Sequence, residues 1–345
     1  MKTEILKELK GTDGYVSGQE LCEKFGVSRT AVWKVINQLK EEGYDIEAVR
    51  NKGYRLASSG DLLSREEIVT SIRGQWAGRQ VEYLQEVDST NTRAKQMAES
   101  GAPHGLLVVA ECQTMGKGRR GRSWVSPPGA NIFMSLLLRP EIEPTDASML
   151  TLVAAMAVTD GIRKVTGLET GIKWPNDVVI DGKKVCGILT EMSTEFERIN
   201  YVVPGIGINV NQEEYPEEIR ATATSLKLAL GRTVKRSELI GCVMEAFERY
   251  YGIFLETMDL SGLMDEYNGM LVNKGREVRV LAPKNEYTGV SLGINRTGEL
   301  LVRTEDGSVR EVLSGSKVVS LVPWNRPRSV ASDTASKYHA SREIS

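Results

Sequence analysis

The chain has 345 residues, 41% of them apolar and 26% charged, and its 44 lysines and arginines against 46 aspartates and glutamates leave a formal net charge of -2. A chain of this length and composition holds two or three domains with sizeable cores, which excludes disorder throughout, and the balanced charge excludes a basic coat over the whole surface. Cys22, Cys112, Cys186 and Cys242 are far apart with no CxxC pair, and the only histidines are His104 and His339, so disulfide frameworks, zinc ribbons and His-rich metal centres are excluded. Any metal would be Mg²⁺ held by oxygen ligands. No apolar run of roughly 18 residues is present, and the start MKTEILKELK is charged and amphipathic. No transmembrane helix or secretory signal is therefore expected, and the expected compartment is the cytoplasm.

Residues 1–57 read as a winged helix-turn-helix. Ser17 with Glu20 is a capping box that starts a short helix, and Gly26 is placed to end it. Ser28 caps a second helix whose Val32, Val35, Ile36 and Leu39 follow the spacing of a buried face. Its other face carries Arg29, Thr30, Trp33, Lys34 and Asn37, with Trp33 placed between surface and core. Strands at 44–49 and 54–56 around the turn Asn51-Lys52-Gly53 make a wing bearing Arg50, Lys52 and Arg55. Such a unit sets its second helix in a DNA major groove and its wing on backbone phosphate. The expected DNA contacts are Ser28, Arg29, Thr30, Lys34, Asn37 and Lys52.

Residues 58–64 read as a linker. From 65 to 270 strands and helices alternate, often as hairpins. Strands are expected at 106–111, 132–138, 171–174, 178–180, 185–191 and 201–209, and long helices at 146–165 and 237–258. The Asp181-Gly182 turn joins two strands in an antiparallel hairpin. An α+β domain follows, a mixed sheet with helices on one face. Five short strand signals within 271–323 predict a small SH3-like barrel, and 324–345 read as a disordered tail.

Gly116-Lys117-Gly118-Arg119-Arg120-Gly121 formally matches GxGxxG after a strand. Its continuation, Arg122-Ser123-Trp124-Val125-Ser126-Pro127-Pro128-Gly129, cannot form the helix that a dinucleotide fold needs. Three glycines instead let backbone approach a ligand, and four cations in six residues would repel one another until a polyanion ordered them. Trp124 adds a flat surface. Lys173-Trp174-Pro175-Asn176-Asp177 ends a strand in a turn that displays polar side chains. Gly205-Ile206-Gly207-Ile208-Asn209-Val210-Asn211 brings Asn209 to a strand tip. Asp88-Ser89-Thr90-Asn91 precedes a helix and also suits an N-cap.

GKGRRGRSW, KWPND, KKVCGIL and GIGINVN in this order, preceded by DSTN and ECQT, resemble the biotin–protein ligases. With the winged helix and the C-terminal barrel, the resemblance is to the bifunctional form that is both ligase and repressor, and it covers residues 1–323. It implies a central domain like the class II aminoacyl-tRNA synthetase and biotin ligase core. It implies that biotin and ATP are joined to biotinyl-5'-AMP, with Mg²⁺ accompanying ATP near Asn209 and Asp177 and no fixed protein metal site. Ser89, Thr90, Asn91, Gln113, Lys117, Gly118, Arg119 and Lys184 would bind biotin. Arg120, Arg122, Trp124, Asn176, Asp177 and Asn209 would bind ATP or the adenylate. Lys184, Arg119 and Lys173 would serve catalysis by neutralising charge. Further implied partners are a biotin carboxyl carrier domain, operator DNA and a second copy in an adenylate-bound homodimer, with no membrane. One departure is Lys117, where the family loop usually carries Arg, which keeps the charge but loses the bidentate fork. Alternative readings are a biotin-sensing repressor without ligase activity and a lipoate–protein ligase.

Overall fold

The computed structural model of the chain describes residues 1–320 except 59, 197, 283–284 and 314–316. The expected tail at 324–345 lies outside the described residues.

Three helices, α1 (Lys2–Gly11), α2 (Gly18–Phe25) and α3 (Arg29–Glu41), precede a hairpin of β1 (Asp45–Val49) and β2 (Gly53–Ser58). The caps work as the sequence suggests: Glu20 N–H donates to Ser17 Oγ at 3.0 Å, Ala31 N–H donates to Ser28 Oγ at 3.2 Å, and Gly26 is left-handed at φ 64°. Val32, Val35, Ile36 and Leu39 pack with Ile5, Leu6 and Leu9 of α1, a helix that sequence reading had not assigned. Val16 pairs with Tyr54 through two backbone hydrogen bonds, an isolated bridge against the wing.

The central sheet has seven strands in the order β3-β4-β5-β9-β8-β7-β6. They are β3 (Val81–Val87), β4 (Leu107–Gln113), β5 (Ile132–Leu136), β6 (Gly171–Lys173), β7 (Asp177–Ile180), β8 (Lys183–Glu195) and β9 (Arg198–Ile208). β3 and β4 are parallel and every other neighbouring pair is antiparallel. Helices α4 (Arg65–Ser71), α6 (Met149–Thr166) and α9 (Arg236–Thr257) share one core with Leu107, Val109, Met134 and Ile206. A Cβ on Gly161 of α6 would come 2.5 Å from Val243 Cγ2 of α9, so glycine permits the close helix pair. The expectation of helices on one face is corrected here. Helix α5 (Thr90–Glu99) covers the opposite face, where Ala94 and Ala98 meet Val108, Leu137 and Val203. Covering both faces explains why β4 is apolar at consecutive positions instead of alternating.

Short helices α7 (Glu217–Arg220), α8 (Leu226–Leu230) and α10 (Met264–Met270) complete the domain. The five strands expected within 271–323 follow as an antiparallel sheet in the order β13-β12-β11-β10-β14, and residues 321–323 lie outside the described residues. Its strands are β10 (Glu277–Ala282), β11 (Asn285–Ile294), β12 (Leu300–Arg303), β13 (Val309–Val312) and β14 (Lys317–Ser320). Trp174 Nε1 donates to the Gly298 carbonyl at 2.9 Å and ties this unit to the KWPND turn.

The segment expected as a linker is packed rather than slack. Leu63 is buried, Ser64 caps α4, and the hydroxyls of Tyr44 and Ser64 lie 2.9 Å apart. Asp61 grips Arg236, which is 3% exposed. Arg236 donates through Nε to Asp61 Oδ2 at 2.8 Å, through Nη1 to Glu111 Oε1 at 2.9 Å, and from its backbone N–H to Asp61 Oδ1 at 2.7 Å. Glu67, with its side chain 0% exposed, meets Lys10 at 2.8 Å and Lys235 at 3.3 Å.

Candidate functional site

The floor of the site comes from glycines on two neighbouring strands. Gly187 of β8 lies opposite Gly207 of β9, and Leu189 opposite Gly205. A Cβ on Gly205 would stand 2.0 Å from Asn91 Oδ1, and one on Gly207 would stand 2.7 Å from Trp124 Nε1. Missing side chains thus open a trough that other side chains fill from above. Ser89, Thr90 and Asn91 at the start of α5 form one wall, and all three are buried. Ser89 sits at the cap position, yet its hydroxyl makes no capping bond. Gln113, Lys117, Gly118, Arg119, Trp124, Asn176 and Lys184 also line this trough.

A continuous chain of polar contacts surrounds it. Thr90 donates to Gln113 Oε1 from its N–H at 2.9 Å and its hydroxyl at 3.1 Å. Gln113 Nε2 donates to Ser126 Oγ at 3.0 Å, and Ser126 Oγ donates to the Trp124 carbonyl at 3.0 Å. Ser135, fully buried on β5, lies 2.8 Å from Thr90 Oγ1 and donates to Asn91 Oδ1 at 2.6 Å. Asn91 Nδ2 donates to the Leu189 carbonyl at 3.1 Å and to Glu191 Oε2 at 2.7 Å, and Lys95 bonds the same carboxylate at 2.7 Å.

The glycine–arginine segment lies along the trough as a short hairpin. Lys117 pairs with Ser123, Gly118 N–H donates to the Arg122 carbonyl at 2.7 Å, and Trp124 N–H donates to the Gly116 carbonyl at 2.9 Å. Arg120 and Gly121 take positive φ, 59° and 71°, to make the turn. These backbone bonds, and a hydrogen bond from Arg119 Nη1 to Asn176 Oδ1 at 2.8 Å, offset the repulsion among the cations. Burial draws the Arg119 guanidinium below its ordinary pKa, and the Asp177 charge opposes that shift. Arginine starts so high that it stays charged.

Lys184 Nζ lies 2.6 Å from Asp177 Oδ1 and 5.1 Å from the centroid of the Trp124 ring. Trp124 Nε1 is buried with no hydrogen-bond partner among the described residues. Beyond Lys184 the trough opens into a chamber of about 710 Å³ that Arg120, Arg122, Lys173, Asp177 and Asn209 line. Lys173 is placed there and not in the inner trough. Asn209 is buried and its Nδ2 donates to the Thr224 carbonyl at 3.1 Å.

A second candidate surface lies on the N-terminal unit. Arg29, Thr30 and Lys34 are exposed on α3, and Asn37 is half-buried. Trp33, which sequence reading placed between surface and core, is 56% exposed on this face. Ser28 is spent partly on its cap, and Arg29 Nη2 donates to Gln19 Oε1 at 2.9 Å. Lys52 lies 5.8 Å from the centroid of the Tyr15 ring, while Arg55 is paired with Glu47 at 2.9 Å.

Sequence reading missed Ser135, Glu191, Lys95, Ser126 and Arg236. Ser135 alone carried a signal, a single hydroxyl inside the apolar strand IFMSL that burial obliges to find a partner.

Residues 83–209 match the profile of the biotin/lipoate A/B protein ligase family, residues 2–55 an HTH domain, and residues 275–318 the biotin protein ligase C terminal domain. The chain is 41% identical over 295 residues to the bifunctional ligase/repressor BirA of Bacillus subtilis, covering 85% of this chain and 90% of that one. It is 30% identical over 299 residues to BirA of Escherichia coli, covering 87% and 91%. Among solved structures it resembles the biotin protein ligase of Aquifex aeolicus in complex with biotin and ATP, with a TM-score of 0.62 and 33% identity over 70% of this chain and 99% of that one. A helix-turn-helix unit, a ligase core and a C-terminal β unit in one polypeptide, matched over nearly their whole length, place the chain in the family of bifunctional biotin–protein ligases and repressors.

Proposed function

We propose that the chain works in the cytoplasm, where it condenses biotin with ATP to biotinyl-5'-AMP and transfers biotin to the acceptor lysine of a carboxyl carrier domain. The adenylate-bound form dimerises and represses biotin synthesis and transport genes at operator DNA. The observation that carries the ligase reading is the convergence of Lys184 and Arg119 where the polar trough meets the basic chamber. In this reading Ser89, Thr90, Asn91 and Gln113 meet the ureido ring of biotin, and its valeryl carboxylate points toward Lys184.

The first step joins two anions. A biotin carboxylate oxygen attacks the α-phosphorus of ATP, and the α–β bridging oxygen leaves with pyrophosphate. Lys184 and Arg119 lower the repulsion at the point of attack, and Asp177 and Asn176 hold those two cations in place. Lys173, Arg120, Arg122 and Asn209 face the polyphosphate. Mg²⁺ bound with ATP would screen the phosphates and polarise them. The donor set suits an ion that arrives with its nucleotide, since Asp177 and Asn209 supply oxygen donors at the chamber wall and phosphates supply the rest. Lys117, Gly118 and Trp124 cover the trough and keep water from the mixed anhydride until an amine attacks its acyl carbon and AMP leaves. Ser28, Arg29, Thr30, Lys34, Asn37 and Lys52 form the DNA surface, and a dimer sets two such surfaces on one operator.

Labelled biotin, ATP, Mg²⁺ and a carrier domain test the ligase reading together. Label reaches the carrier only when all are present. Tight biotin binding with no transfer would leave a sensing repressor instead. In the same assay Arg119→Ala releases the adenylate into solution at least about tenfold faster, the loss expected for one half-buried charge-assisted hydrogen bond. Retention equal to that of the parent chain would remove Arg119 from this role.

A further inference from the structure

We propose that Glu191 is a positioning residue that sets which edge of the Asn91 amide faces the biotin ring, and so sets the preference for a ureido N–H donor. This rests on the ligase reading above. An asparagine amide can sit in either of two orientations, and only its partners decide between them. Here both Asn91 N–H bonds are taken from one side, by the Leu189 carbonyl and by the Glu191 carboxylate. The shorter of the two, 2.7 Å, goes to the charged acceptor. On the other side the Ser135 hydroxyl donates to Asn91 Oδ1 at 2.6 Å. A flipped amide would set its oxygen against a carboxylate and a carbonyl.

What the trough presents follows from counting lone pairs and protons. Asn91 Oδ1 stands over Gly205, with one lone pair used by Ser135 and one open to the cavity. Gln113 Oε1 accepts the Thr90 N–H, and Gln113 Nε2 has given one proton to Ser126 and keeps one. An acceptor at Asn91 beside a donor at Gln113 complements a cyclic urea, which carries N–H beside C=O. Lys95 keeps Glu191 in place through the ion pair at 2.7 Å. Burial alone would raise the Glu191 carboxyl, but the bonds from Lys95 and Asn91 outweigh it and hold it below the usual range, so it is charged at neutral pH. Glu191 itself does not line the trough, so it acts through Asn91.

The test compares the full chain with Glu191→Met, Glu191→Gln and Ser135→Ala. Each is titrated with biotin, with ATP, and with a biotin analogue in which a ring oxygen replaces one ureido N–H. Glu191→Met weakens biotin at least about tenfold, the range of a charge-assisted hydrogen bond, and leaves the KM for ATP unchanged. It also binds biotin and the analogue with nearly equal affinity, whereas the parent chain separates them clearly. Glu191→Gln keeps an acceptor for Asn91 and recovers most of the preference. Ser135→Ala, which loses the donor from the opposite side, weakens the preference without touching Glu191. A Glu191→Met chain that keeps parental biotin affinity and preference overturns the positioning role alone. Equal losses for biotin and ATP also overturn it, since they mark a structural effect. A parent chain that binds no biotin overturns the ligase reading and this inference with it.

Discussion

Lys184→Met lowers the rate of biotinyl-adenylate formation by about 10²–10³-fold, the range seen when one preorganised electrostatic group is removed from a reacting centre. The effect has two parts. The ammonium proposed to face both anions is gone, and Asp177, which it held at 2.6 Å, is left as a bare negative charge where the proposed mechanism brings a carboxylate and a triphosphate together. A variant that also carries Asp177→Asn therefore regains part of the rate. Folding stability changes little, because the Lys184 side chain is 33% exposed and such pairs contribute at most about 1 kcal/mol. Biotin-dependent exchange of pyrophosphate into ATP reads the step directly. Exchange within threefold of the parent chain would rule out the assigned role.

Arg236→Met destabilises the protein by about 3–5 kcal/mol, the cost of removing one partner from a buried ion cluster. The cluster is small and dry: the Arg236 side chain is 3% exposed, and those of Asp61 and Glu111 are each 12% exposed. Burial pushes the Asp61 carboxyl above its usual range even with Arg236 beside it. Without the guanidinium the Asp61 carboxyl rises further, so it takes up a proton in the folded state before the unfolded chain does. The sign follows: the deficit of the variant is greatest near neutral pH and shrinks as pH falls. Adding Asp61→Asn and Glu111→Gln to Arg236→Met restores most of the stability, since a neutral cluster needs no counter-charge. Thermal melts at two pH values separate these outcomes, and equal losses at both would contradict the electrostatic account.

Much of this architecture is legible locally. Caps at Ser17 and Ser28, the Asp181-Gly182 turn and the glycine motifs act through neighbours only a few residues away, so sequence spacing carries them. The second covered face of the sheet was not legible that way, because an apolar β4 reads the same whichever helix lies above it. Helix α4 was missed because its short sequence REEIVTS carries Glu66 and Glu67, which look like solvent-facing charges. Both are buried, since their partners Lys2, Lys10 and Lys235 come from elsewhere in the chain.

The site shows the same division. Motif residues Ser89, Thr90, Asn91, Gln113, Arg119 and Lys184 do gather around one trough. The residues that orient them do not announce themselves. Glu191 sits 100 positions from Asn91 and Ser135 sits 44 away, and each looks like an ordinary strand residue until the sheet brings them together.

The buried joint between the N-terminal unit and the core has a consequence for DNA. Lys10 of α1 and Lys235 at the start of α9 converge on Glu67, and Asp61 is locked to Arg236. The helix proposed to read DNA belongs to a unit that these ion pairs tie to the core. For the proposed dimer, the distance between the two reading helices is then a property of the protein, like the gap of a caliper. An operator lengthened by half a helical turn, about 5 base pairs, would carry one half-site round to the far side of the duplex. With that unit tied to the core, the DNA itself would have to twist, and its torsional stiffness would set how narrow a range of spacings is read.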